Sequence, residues 1–326
     1  MIDLNFKSRF RIRRRTMQSP PASIAICIVR NSVDIIPLTV LHHCLLGVDL
    51  CVVVDNGSTD GTAELLDSIA RRASRVKLIH DPSPFRQADI VNNVIDQFAG
   101  RRTIVIPFDA DECWSSPVDR IASIFDTEAV NVAECEVVNF VQSRSVTGPT
   151  AFSWLKAYRS ATPVLGERRT MVREHQHSFI EVQFPPKVLF RAEGVARIST
   201  GAHTVEFDGK RAKVEPRIAC LHLPLRARSE LEKRAHDYEP RRAPFRVNEQ
   251  LSWQSLYFRE TVERDQTDAE WRANSYDRSG HMDVFGRLTK ARIDLRLVER
   301  LCKAYAYGLY LNIPMWRSGG QLREKS

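Results

Sequence analysis

The chain has 326 residues, of which 43% are hydrophobic and 27% are charged, and its formal net charge is +8. This composition is typical of a soluble globular protein, and no run approaches the roughly 18 apolar residues that cross a bilayer. Seven scattered cysteines without a Cys-x-x-Cys pair argue against a disulfide framework or a zinc knuckle, and they predict a reducing, cytoplasmic location. The positive charge suits an anionic partner such as a nucleotide diphosphate or an acidic lipid surface, but it can equally serve solubility.

Strand and helix patterns alternate in the first part of the chain. Residues 1–21 are expected to be a flexible basic leader, without the apolar segment of a secretory signal. The alternation that follows predicts an α/β fold, a mostly parallel sheet flanked by helices. The predicted strands are 23–29, 50–54, 76–80 and 103–108, and the predicted helices are 34–46, 59–73 and 87–98.

The pattern changes after Pro117. Residues 130–141 and 187–198 are predicted to be longer strands. From residue 227 onward Arg and Glu are frequent, and residues 285–311 have the spacing of a basic amphipathic helix. We therefore expect one α/β domain over residues 22–226 and a helical C-terminal extension over residues 227–326.

Three polar clusters follow predicted strands: Arg30-Asn31, Asp55 to Asp60, and Asp109 to Glu112. In open α/β sheets, ligands bind at the carboxyl ends of the strands, so these clusters are expected to share one edge. Within the second cluster, Gly57 permits close backbone approach, and Ser58 belongs to the tight turn before a helix. An ordinary strand-turn-helix connection would look the same locally.

The third cluster places Asp109 and Asp111 one residue apart at a strand end. Two carboxylates this close repel each other unless a cation or a proton lies between them. Hard oxygen ligands suit Mn²⁺ or Mg²⁺, which would also hold the phosphate oxygens of a substrate. A solvated acidic turn is the alternative interpretation, and the position after a buried apolar strand favours the metal.

Taken together, these segments resemble family 2 glycosyltransferases of the GT-A fold. The resemblance covers roughly residues 22 to 235 and is greatest for the branch with an Asp-x-Asp-Glu motif and a later His-x-Pro-x-Arg-like segment. Ser32 and Cys113 depart from the family pattern, and neither change removes a metal ligand. The matching pieces are Ile28 to Ser32, Asp55 to Thr62, Phe108 to Cys113, Pro186 to Arg191, Gly201 to His203 and Leu221 to Arg226.

The resemblance implies a role for each matching position. It implies a nucleotide-sugar donor, a Mn²⁺ or Mg²⁺ cofactor, and a sugar moved to a glycan, lipid or other hydroxyl acceptor with inversion. The implied nucleotide contacts are Arg30, Asn31, Asp55, Gly57, Ser58 and Asp109, the implied metal ligands are Asp109, Asp111 and His222, and the implied phosphate contacts are Lys187 and Arg191.

Inversion by in-line displacement needs a general base beside the acceptor hydroxyl. Glu181 is our choice among the candidates, because it lies between the acidic motif and His222 along the chain. The other candidates are Glu206, His177 and His203.

The partners and the alternative functions follow from the same residues. Basic residues between 290 and 303 predict a peripheral contact with the inner, anionic face of a membrane, and packing on the catalytic domain explains them equally well. Nucleic acid is not expected as a partner, because the basic residues are dispersed. An inactive GT-A-like module that binds surface polysaccharide is the main alternative function. A nucleotidyltransferase is less consistent with the sequence, because its Gly-rich basic signature is missing.

Overall fold

The computed structural model describes residues 19–83, 86–117, 120–125, 131–193, 195–207, 213–236 and 249–315. Residues 1–18 of the predicted leader lie outside this part of the chain. Within the described residues, none of the helices has the length and apolar character needed to cross a membrane.

The first part of the chain forms a parallel α/β sheet, as the alternating pattern predicts. The strands lie in the order β4-β1-β2-β3, and all three neighbouring pairs are parallel. The second helix begins later than predicted, because Gly61 adopts a φ of 91° and the Asp60 carboxylate accepts a hydrogen bond from the Thr62 amide. The elements are β1 (Ser23–Val29), α1 (Ile36–Leu45), β2 (Leu50–Asp55), α2 (Thr62–Arg72), β3 (Val76–His80), α3 (Gln87–Phe98) and β4 (Ile104–Pro107).

Both faces of this sheet are covered. Side chains alternate between the faces of a strand, so Cys27 of β1 packs with α1 and α2, whereas Ile26 packs with α3. Every residue of β2 is buried, as expected of a central parallel strand. The two cores hold the strands rigidly and leave their carboxyl ends as the accessible edge.

The middle of the chain extends the sheet with antiparallel strands. β8 lies between β4 and β6 and is antiparallel to both. The long strand predicted over 187–198 is wrong, because β8 ends at Arg191 and β9 pairs with β10 in a separate two-stranded sheet. The elements are β5 (Glu112–Ser115), β6 (Val132–Ser143), β7 (Arg159–Ser160), α4 (Arg168–Arg173), β8 (Lys187–Arg191), β9 (Val195–Ile198), β10 (Val205–Phe207) and β11 (Lys213–His222).

The C-terminal section contains both helices and strands. The helix predicted over 285–311 begins only at Arg296, because Phe285 and Gly286 have φ values of 51° and 93° and close a hairpin between β13 and β14. Strands β12 and β15 join the large sheet. The elements are α5 (Ser229–His236), α6 (Glu249–Glu263), α7 (Thr267–Ala273), β12 (Ser275–Tyr276), β13 (His281–Val284), β14 (Arg287–Lys290), β15 (Arg292–Ile293) and α8 (Arg296–Tyr310).

The C-terminal section shares its core with the α/β sheet. Helix α8 packs on α1, and its buried Leu301 belongs to the same apolar cluster as Cys27 of β1 and Val137 of β6. The boundary expected near residue 227 therefore does not separate two hydrophobic cores.

Candidate functional site

The strand register brings the predicted polar clusters to one edge of the sheet. Val29, the last residue of β1, lies opposite Asp55, the last residue of β2, and Asp55 lies opposite His80. Asp109 follows β4, the neighbour of β1 on its other side. The carboxyl ends of these strands thus form a continuous platform.

Two loops interlock at the β1–β2 end of this platform. The Asn31 side chain accepts a hydrogen bond from the Thr59 amide at 2.7 Å, and the Asn31 amide donates to the Ser58 hydroxyl at 2.9 Å. Asp55 is 4% exposed and accepts from the Ser58 amide at 3.3 Å. Gly57, with a φ of 75°, forms the turn between them. Four of the residues predicted to contact the nucleotide, Asn31, Asp55, Gly57 and Ser58, lie together here, which is the arrangement expected of a binding site for base and ribose.

Arg30 belongs to the same region. Its Nε is buried and has no hydrogen-bond partner within the described part of the chain. A buried guanidinium nitrogen without a partner carries a desolvation cost, and an anionic or carbonyl oxygen would remove that cost. This orphaned donor is consistent with a ligand at the edge.

A buried lysine joins two carboxylates after β4. The Lys187 ammonium lies 2.7 Å from the Asp109 carboxylate and 2.9 Å from that of Glu112. Gln87 of α3 donates to the other oxygen of Asp109 at 3.1 Å. The Asp109 side chain remains 38% exposed, so it can still meet a ligand.

Burial and charge both act on this cluster. Burial raises the pKa of Glu112 to about 7, and the nearby Lys187 charge limits the rise. Burial alone would lower the pKa of Lys187, but Asp109 and Glu112 outweigh it and raise that pKa above its ordinary value. Lys187 is therefore a permanent cation that neutralises the acidic motif from beneath.

Asp111 faces a second group of charges. Its side chain is 12% exposed, and its carboxylate lies 3.4 Å from Arg234 and 3.8 Å from Arg226. Arg226 is itself held by Asp34 at 2.6 Å and by Glu230 at 3.1 Å. Asp111 thus faces two cations, and Asp34 and Glu230 already balance one of them, Arg226.

His222 completes this end of the site. Residues 112 and 222 are paired across β5 and β11, which brings His222 Nε2 to 3.9 Å from the Asp111 carboxylate. The other ring nitrogen, Nδ1, lies 3.0 Å from the side-chain oxygen of Asn139. Burial lowers the pKa of His222 to about 4, so the ring is neutral at pH 7.

The donor set suits a divalent cation that a substrate helps to hold. Within the described ranges, no cluster of three or more His, Cys, Asp or Glu side chains is arranged to bind a metal. Mg²⁺ is commonly bound by one or two carboxylates together with substrate phosphates. Of the predicted ligands Asp109, Asp111 and His222, the last two face each other and would supply two ligands, and the Asn139 contact leaves Nε2 as the nitrogen that faces the Asp111 carboxylate. The residues present therefore fit the predicted Mn²⁺ or Mg²⁺.

Two predicted site residues are engaged in other contacts. Arg191 is paired with Ile104, at the opposite end of β4 from Asp109, and its guanidinium donates to the Phe125 carbonyl at 2.9 Å. The proposed phosphate contact of Arg191 is corrected accordingly, because β8 carries it away from the edge. Glu181 is 2% exposed and is held by Arg287 at 2.8 Å. Its carboxylate is therefore engaged in a buried ion pair, which argues against its choice as the general base.

The other base candidates are placed differently. His177 contacts Arg287, and Glu206 lies exposed on β10. His203 lies near Lys187, and its Nδ1 is 3.0 Å from the Pro186 carbonyl. Burial lowers the pKa of His203 to about 4, so this ring is also neutral at pH 7. Of the four candidates, only His203 lies beside the acidic motif.

Several residues of the site were not predicted from the sequence. Arg226 is the last residue of the family-like segment from Leu221 to Arg226, so the sequence did contain a signal for it. Gln87, Asn139 and Arg234 lie in unremarkable helix or strand patterns. They reach the site only through tertiary packing.

The architecture and the site define a GT-A-type α/β protein with an acidic motif at the carboxyl ends of its parallel strands. Residues 26–177 match the model of Glycosyl transferase family 2. This part of the chain is therefore a family 2-like glycosyltransferase region.

Several solved structures resemble the chain at low sequence identity. The mannosyltransferase PcManGT from Pyrobaculum calidifontis, in complex with GDP-Man and Mn²⁺, has a TM-score of 0.38 and 18% identity, covering 91% of this chain and 83% of that one. S. aureus TarS 1-349 in complex with UDP has a TM-score of 0.35 and 16% identity, covering 74% and 72%. These scores carry no argument about activity. No curated protein sequence is significantly similar to the chain.

Proposed function

We propose that the chain transfers a sugar from a nucleoside diphosphate donor to a hydroxyl acceptor, with inversion and with Mn²⁺ or Mg²⁺. The observation that carries this proposal is the facing pair of Asp111 and His222, 3.9 Å apart. His222 Nε2 and the Asp111 carboxylate are both acceptors when the neutral ring carries its proton on Nδ1, so the pair gains most when a cation lies between them.

The two ends of the sheet edge bind different parts of the proposed nucleotide-sugar donor. Asp55, Asn31 and Ser58 receive the base and the ribose. The diphosphate lies toward Asp111, where Arg234 is 30% exposed and can neutralise phosphate charge. Asp109 remains accessible between them for the donor sugar. When bound, the cation stabilises the negative charge that develops on the departing nucleoside diphosphate.

Calorimetry with UDP, GDP and dTDP, with and without Mn²⁺, tests the donor site. We expect one nucleotide to bind in a Mn²⁺-dependent manner, and we expect Asp111→Ala to lose the Mn²⁺-dependent part. Asp96→Ala makes the same chemical change at an exposed position on α3 and should behave as wild type. Absence of nucleotide binding by the wild type, or binding indifferent to Mn²⁺, would contradict the proposal.

The acceptor in this proposal is a glycan or a lipid-linked hydroxyl compound, met at an anionic membrane surface. An apolar and basic strip on β14 and β15 supports the membrane contact: Leu288 is 70% and Ile293 is 67% exposed, and Lys290 and Arg292 are exposed beside them. Apolar side chains flanked by cations suit the boundary of an acidic bilayer.

Vesicle flotation tests this contact. We expect the protein to float with vesicles that contain phosphatidylglycerol and to stay behind with phosphatidylcholine vesicles alone. Ile293→Asp should weaken the flotation, because it removes an apolar contact and adds a repelled charge. Equal behaviour with both vesicle types would exclude an electrostatic contact.

A further inference from the structure

A chain of hydrogen bonds connects His222 to the C-terminal section. Asn139 donates from its side-chain nitrogen to the carbonyl of Ile180 at 3.0 Å, and the Ile180 amide donates to the Asn274 side-chain oxygen at 2.9 Å. The Asn274 nitrogen donates to Glu270 at 2.8 Å. Tyr257 of α6 donates its hydroxyl to the other Glu270 oxygen at 2.5 Å.

These contacts fix the orientation of the Asn139 amide. A carbonyl oxygen can only accept, so the Asn139 nitrogen must face Ile180, and also Val182 at 3.5 Å. The Asn139 oxygen then faces His222 Nδ1 at 3.0 Å. An amide oxygen can only accept, so Nδ1 must carry the proton. His222 Nε2 is left with a lone pair directed at the side where Asp111 lies.

Asn274 supports this arrangement from one step further away. It caps the end of α7, where it is fully buried, and it receives the Ile180 amide while Asn139 donates to the carbonyl of the same residue. Asn139 is 7% and Glu270 is 1% exposed, so water has little access to replace either side chain. Buried polar networks of this kind rigidify their members when every group is satisfied.

We propose that Asn139 and Asn274 are positioning residues that hold His222 as the Nδ1–H tautomer, with Nε2 turned toward Asp111. Through them, helices α6 and α7 set the orientation of a ring that lies in the α/β sheet. The consequence for metal and nucleotide rests on the proposed function, whereas the tautomer itself does not.

Nitrogen NMR of protein labelled with ¹⁵N-histidine tests the tautomer without any ligand. The His222 resonances are identified by their loss in His222→Gln. We expect Nδ1–H in the wild type, the same tautomer in Asn139→Asp, and a mixture or the Nε2–H tautomer in Asn139→Leu. A wild-type Nε2–H tautomer would overturn the inference, even if the leucine variant did not fold.

Nucleotide calorimetry supplies the second readout. Loss of a partner that orients a metal-binding histidine typically weakens metal affinity or activity by about 10–100-fold. We expect Asn139→Leu to lower the Mn²⁺-dependent nucleotide affinity by about this factor and to leave affinity measured in EDTA unchanged. Asn92→Leu is the matched control, because Asn92 is a partly buried, hydrogen-bonded asparagine of α3.

The two readouts separate the two proposals. Wild-type binding that ignores Mn²⁺ would contradict the proposed function, and the tautomer would still decide the positioning role. Mn²⁺-dependent binding that is equal in Asn139→Leu and Asn92→Leu would contradict the positioning role alone.

Discussion

Replacing His222 with leucine is expected to lower the rate of nucleoside diphosphate release from the donor by at least about 100-fold. Leucine keeps the packing of this buried position against Phe184, whose ring centroid lies 5.2 Å from that of the histidine. It removes the neutral nitrogen that faces Asp111. The loss should appear mainly as a higher Mn²⁺ requirement, because the nucleoside end of the edge is untouched.

The measurement is nucleotide release at several Mn²⁺ concentrations, with thermal unfolding as a check of the fold. His281→Leu, on β13 and away from the edge, should retain wild-type rates. If His222→Leu kept wild-type release at limiting Mn²⁺, His222 would not be a metal ligand.

Replacing Lys187 with methionine is expected to destabilise the fold by about 3–5 kcal/mol, the usual cost of removing one partner of a buried ion pair. The Lys187 side chain is 4% exposed, and Glu112 beside it is 2% exposed. The loss should be larger at pH 8 than at pH 5. A buried carboxyl whose pKa is raised stabilises the folded state at low pH and loses that contribution as pH rises through its folded pKa, here about 7 with Lys187 present.

Urea unfolding at the two pH values measures this loss. Lys187→Met combined with Glu112→Gln should recover part of the stability at pH 8, because one buried charge fewer remains. Lys156→Met changes an exposed lysine and should stay within about 0.5 kcal/mol of wild type. A double variant no more stable than the single one would show that the Lys187 charge is not what the fold needs.

The parallel half of the fold is predictable from local patterns. Continuous apolar runs and helical spacing place the elements from β1 to β4 within a few residues, since burial on both faces leaves a strong signature. The C-terminal section is harder. The apolar residues after Phe285 keep a helix-like spacing, but two successive residues with positive φ turn the chain into a hairpin. Spacing alone does not reveal that turn.

Some residues of the candidate site can likewise be predicted from the sequence, and others cannot. Asp55, Asp109 and Asp111 follow strands, so their shared edge can be inferred from the order of elements. Lys187 and Arg191 look equivalent in sequence, yet four residues of an extended strand separate the site from the far edge of the sheet. Glu181 precedes His222 along the chain, but its partner Arg287 is more than one hundred residues away. Such ion pairs depend on tertiary packing.

The acidic motif is balanced by parts of the chain that carry no motif. Arg234 belongs to α5 and Asn274 to the end of α7, and both act on residues of the sheet. Amino-acid substitutions in these helices are therefore constrained by the candidate site on the sheet. A chimera that joined this sheet to the C-terminal section of a distant relative would inherit every recognisable motif, and still lack the counter-charge on Asp111 and the support behind His222.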